Sequence, residues 1–190
     1  MTKNRFEAFT DAVVAIVLTV LVLDLDLPAT GSFQALYAVR HEFLIYLVSF
    51  FSLAIYWNNH HQLLHGVKKI GGWTLWANNL LILALSLFPF ATSWVSDFPS
   101  ALGAQVFYGG VILLADFTYF LLCWALIAVN DREVKEHIHA FMRKTGVTVA
   151  INCLALVIGW LIRPELVIII DGLSLLLWVV PYKSIKLKKV

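Results

Sequence analysis

Six apolar stretches separated by short polar breaks take up almost the whole 190-residue chain. They cover residues 6–27, 42–65, 73–95, 104–129, 145–162 and 166–181. Each is close to the roughly 20 residues that a helix needs to cross a bilayer. The pattern predicts an all-α integral membrane protein with six transmembrane helices, in a single domain over residues 1–190. Nothing is left over for a soluble catalytic domain. The breaks fall at Pro28-Ala-Thr-Gly31, between Gly66 and Gly72, and at Asp97-Phe-Pro99. The longest polar stretch, residues 130–144, mixes charges with Val134, Ile138 and Phe141, which predicts a short interfacial helix joining spans four and five.

Composition agrees with this pattern. Hydrophobic residues make up 61% and charged residues 14%, whereas soluble domains run at about 45–50% and about 25%. Orientation follows from Lys and Arg in the short loops. With the N-terminus inside, Lys3, Arg5, Lys68, Lys69, Arg132, Lys135, Arg143, Lys144, Lys183, Lys186, Lys188 and Lys189 lie on the cytoplasmic side, and only Arg40 and Arg163 lie outside. Both termini are therefore expected in the cytoplasm. The formal charge of +2 gives no sign of a nucleic-acid partner, because the basic residues flank spans. Residues 183–189 read as an anionic-lipid anchor. The first span is too long for a cleaved signal peptide and carries Asp11, with no small-residue cleavage site before Asp24 and Asp26. Trp57, Trp73, Trp76, Trp94 and Tyr182 fall near span ends, as an aromatic belt does, and Cys123 and Cys153 read as small packing residues.

The informative positions are the polar ones inside spans, since ionisable groups there are costly and mark function by default. Asp11 lies about 8 Å inside the inner end of span one at the helical rise. His60 and His61 in span two, and Asn78 and Asn79 in span three, reach the same depth from their own ends. A buried carboxylate needs partners, so Asp11 is expected to join His60 or His61 and an Asn of span three. Such a network can lock helices together, sense protons through histidine or bind a metal. The last is hampered because adjacent side chains diverge by about 100° on a helix. Farther along span one, Ile16, Val20 and Leu23 form a narrow stripe with Thr19 beside it. The stripe fits either a helix–helix seam or a dewetting pore constriction with one hydroxyl in it. Asp24 and Asp26 could attract cations at the outer end. Asp116, and more weakly Asn152 and Asp171, fit either packing hydrogen bonds or an ion path.

No Thr-Val-Gly-Tyr-Gly filter, P-loop, His-Glu-x-x-His or Gly-x-Ser-x-Gly motif is present, so neither a carbonyl-cage filter nor an enzyme is expected. Arg5-Phe6-x-x-Phe9-Thr10-Asp11-Ala12, followed by Ala15-Ile16-x-x-Thr19-Val20-x-Val22-Leu23, resembles the first-helix signature of the transmembrane protein 175 family. These are potassium channels without a classical filter loop. Trp57-x-x-His60-His61, and Asn79 with Ser86-Leu87-x-Pro89-Phe90-x-Thr92, add to the resemblance. The family's usual Phe-Ser-Asp is Phe9-Thr10-Asp11 here, which keeps the hydroxyl.

The resemblance implies a homotetramer in the cell membrane, of the bacterial single-unit form, with four first helices around a central pore. It makes Ile16, Val20 and Leu23 the hydrophobic constriction and Thr19 a selectivity layer. It also implies that Arg5 and the Phe9-Thr10-Asp11 segment hold helix packing near the cytoplasmic entrance; with His60, His61 and Asn79 from the depth reading they make the expected helix-packing or gating network, and Asp26 is the expected outer-mouth residue. Potassium ions, lipid and further copies of the chain are the expected partners, with no cofactor and no metal beyond transient potassium. A proton-coupled transporter using Asp11 and the span-two histidines is the competing reading, and a non-conducting structural membrane protein is a third.

Overall fold

The computed structural model describes residues 2–179. The basic run 183–189, Tyr182 and the end of the sixth expected span lie outside the described residues. Among the described residues the chain is all α, in the order α1 (Lys3–Leu23), α2 (Phe33–Ala38), α3 (Arg40–His65), α4 (Gly72–Ser86), α5 (Phe88–Asp97), α6 (Leu102–Val129), α7 (Arg132–Leu161), α8 (Leu166–Ser174) and α9 (Leu176–Val179). Four segments are long and apolar enough to cross a membrane: α1, the α4–α5 pair over Gly72–Asp97, α6 and α7. The 26-residue α3 has the length, but Asn58, Asn59, His60, His61 and Gln62 interrupt its apolar run. The segment Leu166–Trp178 is apolar and shorter.

Three boundaries differ from the sequence expectation, each for a local reason. Residues 132–144 do not form a separate interfacial helix. They are the first turns of α7, which runs unbroken for 30 residues, and Val134, Ile138 and Phe141 are buried against the bundle. Apolar residues at this spacing bury one face, and here that face meets protein. The third span is two helices broken at Leu87, because Pro89 near the start of α5 has no N–H to donate and cannot continue α4. The first loop holds the short helix α2, whose first turn is capped by Ser32 Oγ accepting from the Ala35 amide at 3.2 Å.

The centre of the bundle is α6, which packs against α4, α5, α7 and α8. Tyr108, Tyr119, Leu122 and Leu126 of α6 are fully buried, as are Leu53 and Leu63 of α3, Leu81 of α4 and Phe88 of α5. Lipid is as apolar as leucine, so close packing and interhelical hydrogen bonds hold such a bundle rather than the hydrophobic effect. Glycine supplies the close approach. A Cβ on Gly109 would stand 2.8 Å from Leu156 Cδ2, and one on Gly159 would overlap Val167. These contacts bring α6, α7 and α8 together. At the end of α6, Asn130 clasps the loop before α4: its Oδ1 accepts from the Lys68 and Lys69 amides at 3.1 and 3.0 Å, and its Nδ2 donates to Lys69 O at 3.0 Å.

Candidate functional site

The first helix has two distinct faces. At about 100° per residue, Phe6, Thr10, Val14, Val17 and Leu21 fall within about 80° of arc. These five are the buried residues of α1, and they pack on α3, α4 and α5. Ile16, Thr19, Val20 and Leu23 share a second arc of about 100°, roughly 130° away, and Arg5 and Phe9 fall on the same line. All six are exposed on the single chain, Ile16 at 61% and Leu23 at 79%. Thr19 Oγ1 donates to the Ile16 carbonyl at 2.7 Å, which leaves its oxygen available as an acceptor. Asp26 is exposed just past the end of α1.

The buried face is tied down by a polar relay whose proton directions can be worked out. Thr10 Oγ1 donates to Phe6 O at 3.3 Å, so toward Asn78 it can only accept. Asn78 Nδ2 donates to Thr10 at 2.9 Å. That turns the amide oxygen toward His60, whose Nε2 lies 2.9 Å away and therefore carries the proton. All three side chains are buried, and the Phe6 ring stacks on His60 with centroids 6.0 Å apart. The relay joins α1, α3 and α4.

A second connection runs beside it. Trp57 Nε1 donates to Asp11 Oδ1 at 2.8 Å, and the Trp57 ring stacks on His61 at 6.2 Å. Asp11 is thus held by Trp57, which the aromatic-belt reading had left without a role, and the structure shows no hydrogen bond from it to either histidine. The amide in the network is Asn78, not Asn79, which is exposed. Neighbouring residues on a helix diverge by about 100°, so only one of the two asparagines can face α1 and α3. Arg5 and Phe9 are not in this network either, since they lie on the exposed line of α1. Near them, Lys3 Nζ donates to His65 O at 3.4 Å and pairs with Glu7 at 3.7 Å. No group of three or more His, Cys, Asp or Glu among the described residues is placed to hold a metal.

The three polar residues of the second half of the chain come together. Tyr56 Oη donates to Asp116 Oδ1 at 2.7 Å and Asn152 Nδ2 approaches Asp116 Oδ2 at 3.3 Å. Asp171 lines the same cavity. Elsewhere, the hydroxyls of Ser49, Tyr108 and Thr92 join α3, α6 and α5 at 3.0 and 2.7 Å.

Residues 5–89 match the family model described as endosomal/lysosomal potassium channel TMEM175. A protein named potassium channel from Chryseobacterium sp. (strain P1-3) is 36% identical over 188 residues, 98% of this chain and 97% of that protein. The potassium channel of Chamaesiphon minutus (strain ATCC 27169 / PCC 6605) is 31% identical over 142 residues, 70% of each chain. The crystal structure of a lysosomal potassium-selective channel TMEM175 homolog from Chamaesiphon minutus superposes with a TM-score of 0.81 at 23% identity, covering 93% of this chain and 96% of that one. The architecture is therefore the channel fold, and the family is one of ion channels rather than enzymes. Identity of 36% across nearly its full length, with a matching family model over α1 to α4, shows that this chain belongs to the TMEM175 potassium-channel family.

Proposed function

We propose that the chain is one subunit of a potassium-selective cation channel that conducts passively and has no carbonyl filter loop. In this reading α1, α3, the α4–α5 pair, α6, α7 and the segment from Leu166 are six membrane crossings in one channel domain over residues 1–190. Both termini lie in the cytoplasm, four copies assemble in the cell membrane (a bacterial inner membrane), and the four α1 helices line a central pore. Ile16, Val20 and Leu23 form the dewetting constriction, Thr19 offers a ring of hydroxyl oxygens to a partly dehydrated cation, and Asp26 draws cations to the outer mouth. Thr10, Asp11, His60 and His61, with Asn78 in the place first given to Asn79, hold α1 at its inner end. Arg5 and Phe9 lie on the pore-facing line below the constriction.

The observation that carries this reading is the division of α1. Its Thr10 face is bonded into its own subunit, while the Ile16–Thr19–Val20–Leu23 face is exposed on the single chain. An apolar stripe with outward hydroxyl acceptors suits a gated pore. The transporter reading needs a continuous relay from Asp11 through the histidines. Instead Asp11 bonds Trp57 and His60 bonds Asn78, two links rather than one.

The test is cation flux in reconstituted liposomes under potassium or sodium gradients, with Ile16→Asn and Thr19→Ala beside the parent. Potassium flux should exceed sodium flux in the parent. Ile16→Asn should raise flux by wetting the constriction, and Thr19→Ala should reduce the preference for potassium. A folded, oligomeric parent that passes neither ion would sink the proposal.

A further inference from the structure

The cavity between α3, α6, α7 and α8 lies apart from the exposed face of α1 and has a volume of about 30 Å³. A water needs at least about 10–15 Å³ on this measure, so the space admits one ion with a single water. Two carboxylates line it, Asp116 and Asp171, and both are 2% exposed. Asp116 receives Tyr56 Oη and Asn152 Nδ2. Asp171 is different: neither of its carboxylate oxygens has a hydrogen-bond partner, and the Asn152 Oδ1 atom is equally without one. Asn152 is 1% exposed.

Several hydroxyls of the lining give away their protons elsewhere. Ser52 donates to Val48 O at 2.8 Å, Thr145 to Phe141 O at 3.1 Å, Thr148 to Lys144 O at 3.3 Å and Ser174 to Asp171 O at 2.7 Å. Trp178 Nε1 is spent on Thr148 Oγ1 at 3.0 Å. Each of these hydroxyls has its proton committed and keeps only acceptor capacity to offer. Among the described residues the lining contains no Lys, Arg or His; Lys144 lies over the Trp178 ring, 4.4 Å from its centroid. Three orphaned acceptor atoms, two of them on one carboxylate, in a site rich in further acceptors, form a set of oxygen ligands suited to a cation.

We infer that this chamber is a binding site for one alkali cation, coordinated by the Asp171 carboxylate, Asn152 Oδ1 and neighbouring hydroxyl oxygens, and separate from the conduction path. Oxygen-only donors select hard cations. A monovalent ion suits the depth, because Born desolvation grows with the square of the charge and Mg²⁺ dehydrates reluctantly. The ion neutralises Asp171 and so clamps α8 to α6 and α7.

The test is thermal unfolding of the purified, detergent-solubilised full chain at constant ionic strength, in NaCl, KCl, CaCl₂ or N-methyl-D-glucamine chloride. Sodium or potassium should raise the midpoint by about 5–11 °C at a hundredfold excess over Kd, by mass action on the native state. The isosteric Asp171→Asn should lose that shift, and Thr19→Ala should keep it, since a pore site would behave in the opposite way. Potassium flux through Asp171→Asn should persist, so failure here is distinguishable from failure of the channel reading. Equal midpoints for the parent in sodium, potassium and N-methyl-D-glucamine would overturn the site, and this arm stands even if Asp171→Asn does not fold. A shift with calcium alone would overturn the alkali assignment. A cation-independent Asp171→Asn that equals the parent in N-methyl-D-glucamine is the supporting result.

Discussion

Asn78 offers the sharpest test of how α1 is held. Asn78→Ala removes two hydrogen bonds at once, to His60 at 2.9 Å and to Thr10 at 2.9 Å. The two ends are affected unequally. Thr10 still donates to Phe6 O and loses only an incoming bond, while the His60 Nε2 proton, on a side chain 2% exposed, is left without its acceptor. Stranding a buried donor costs about 1–3 kcal/mol, and interhelical hydrogen bonds in membrane proteins average about 0.6 kcal/mol with a maximum near about 1.7. The variant should therefore lose about 2 kcal/mol, seen as a fall of about 4–8 °C in the thermal midpoint of the detergent-solubilised protein. The decisive assay is the cycle with Thr10→Val. Once Asn78 is gone, Thr10→Val has no amide bond left to break, so its cost should shrink by about 0.6 kcal/mol or more. Additivity within about 0.3 kcal/mol would show that the Thr10–Asn78 bond does not exist in the working protein.

Two other variants probe different contacts. Trp57→Phe keeps a ring against His61 but removes the donor to Asp11; it should cost about 1 kcal/mol in thermal unfolding, and the cost should vanish in an Asp11→Ala background. An equal cost in both backgrounds would contradict the bond. Gly159→Ala should destabilise by about 1–3 kcal/mol through overlap with Val167, with Val167→Ala restoring the loss and Gly110→Ala, which meets open space, close to neutral. A harmless Gly159→Ala would mean that α7 and α8 are less closely packed than described.

The order of the apolar helices could be read along the chain because it depends on local composition: a run of apolar residues names a helix wherever it packs. The family likeness was legible for the same reason, in the contiguous pattern from Arg5 to Leu23. Depth could be read too, because rise per residue is constant along a helix, and it brought Asp11, the histidines and the asparagine pair to one level. Rotation could not. Choosing Asn78 over Asn79, or joining Asp11 to Trp57 instead of a histidine, depends on how each helix turns about its axis against its neighbours, and that is set by packing. The tract 130–144 shows the same limit: its charges mark a watery boundary, yet whether its apolar residues meet lipid or protein is decided by what lies beside them. Asp116, Asn152 and Asp171 sit on α6, α7 and α8 with no spacing rule to relate them. Only the tertiary structure, through glycine contacts that draw those three helices together, places them around one cavity.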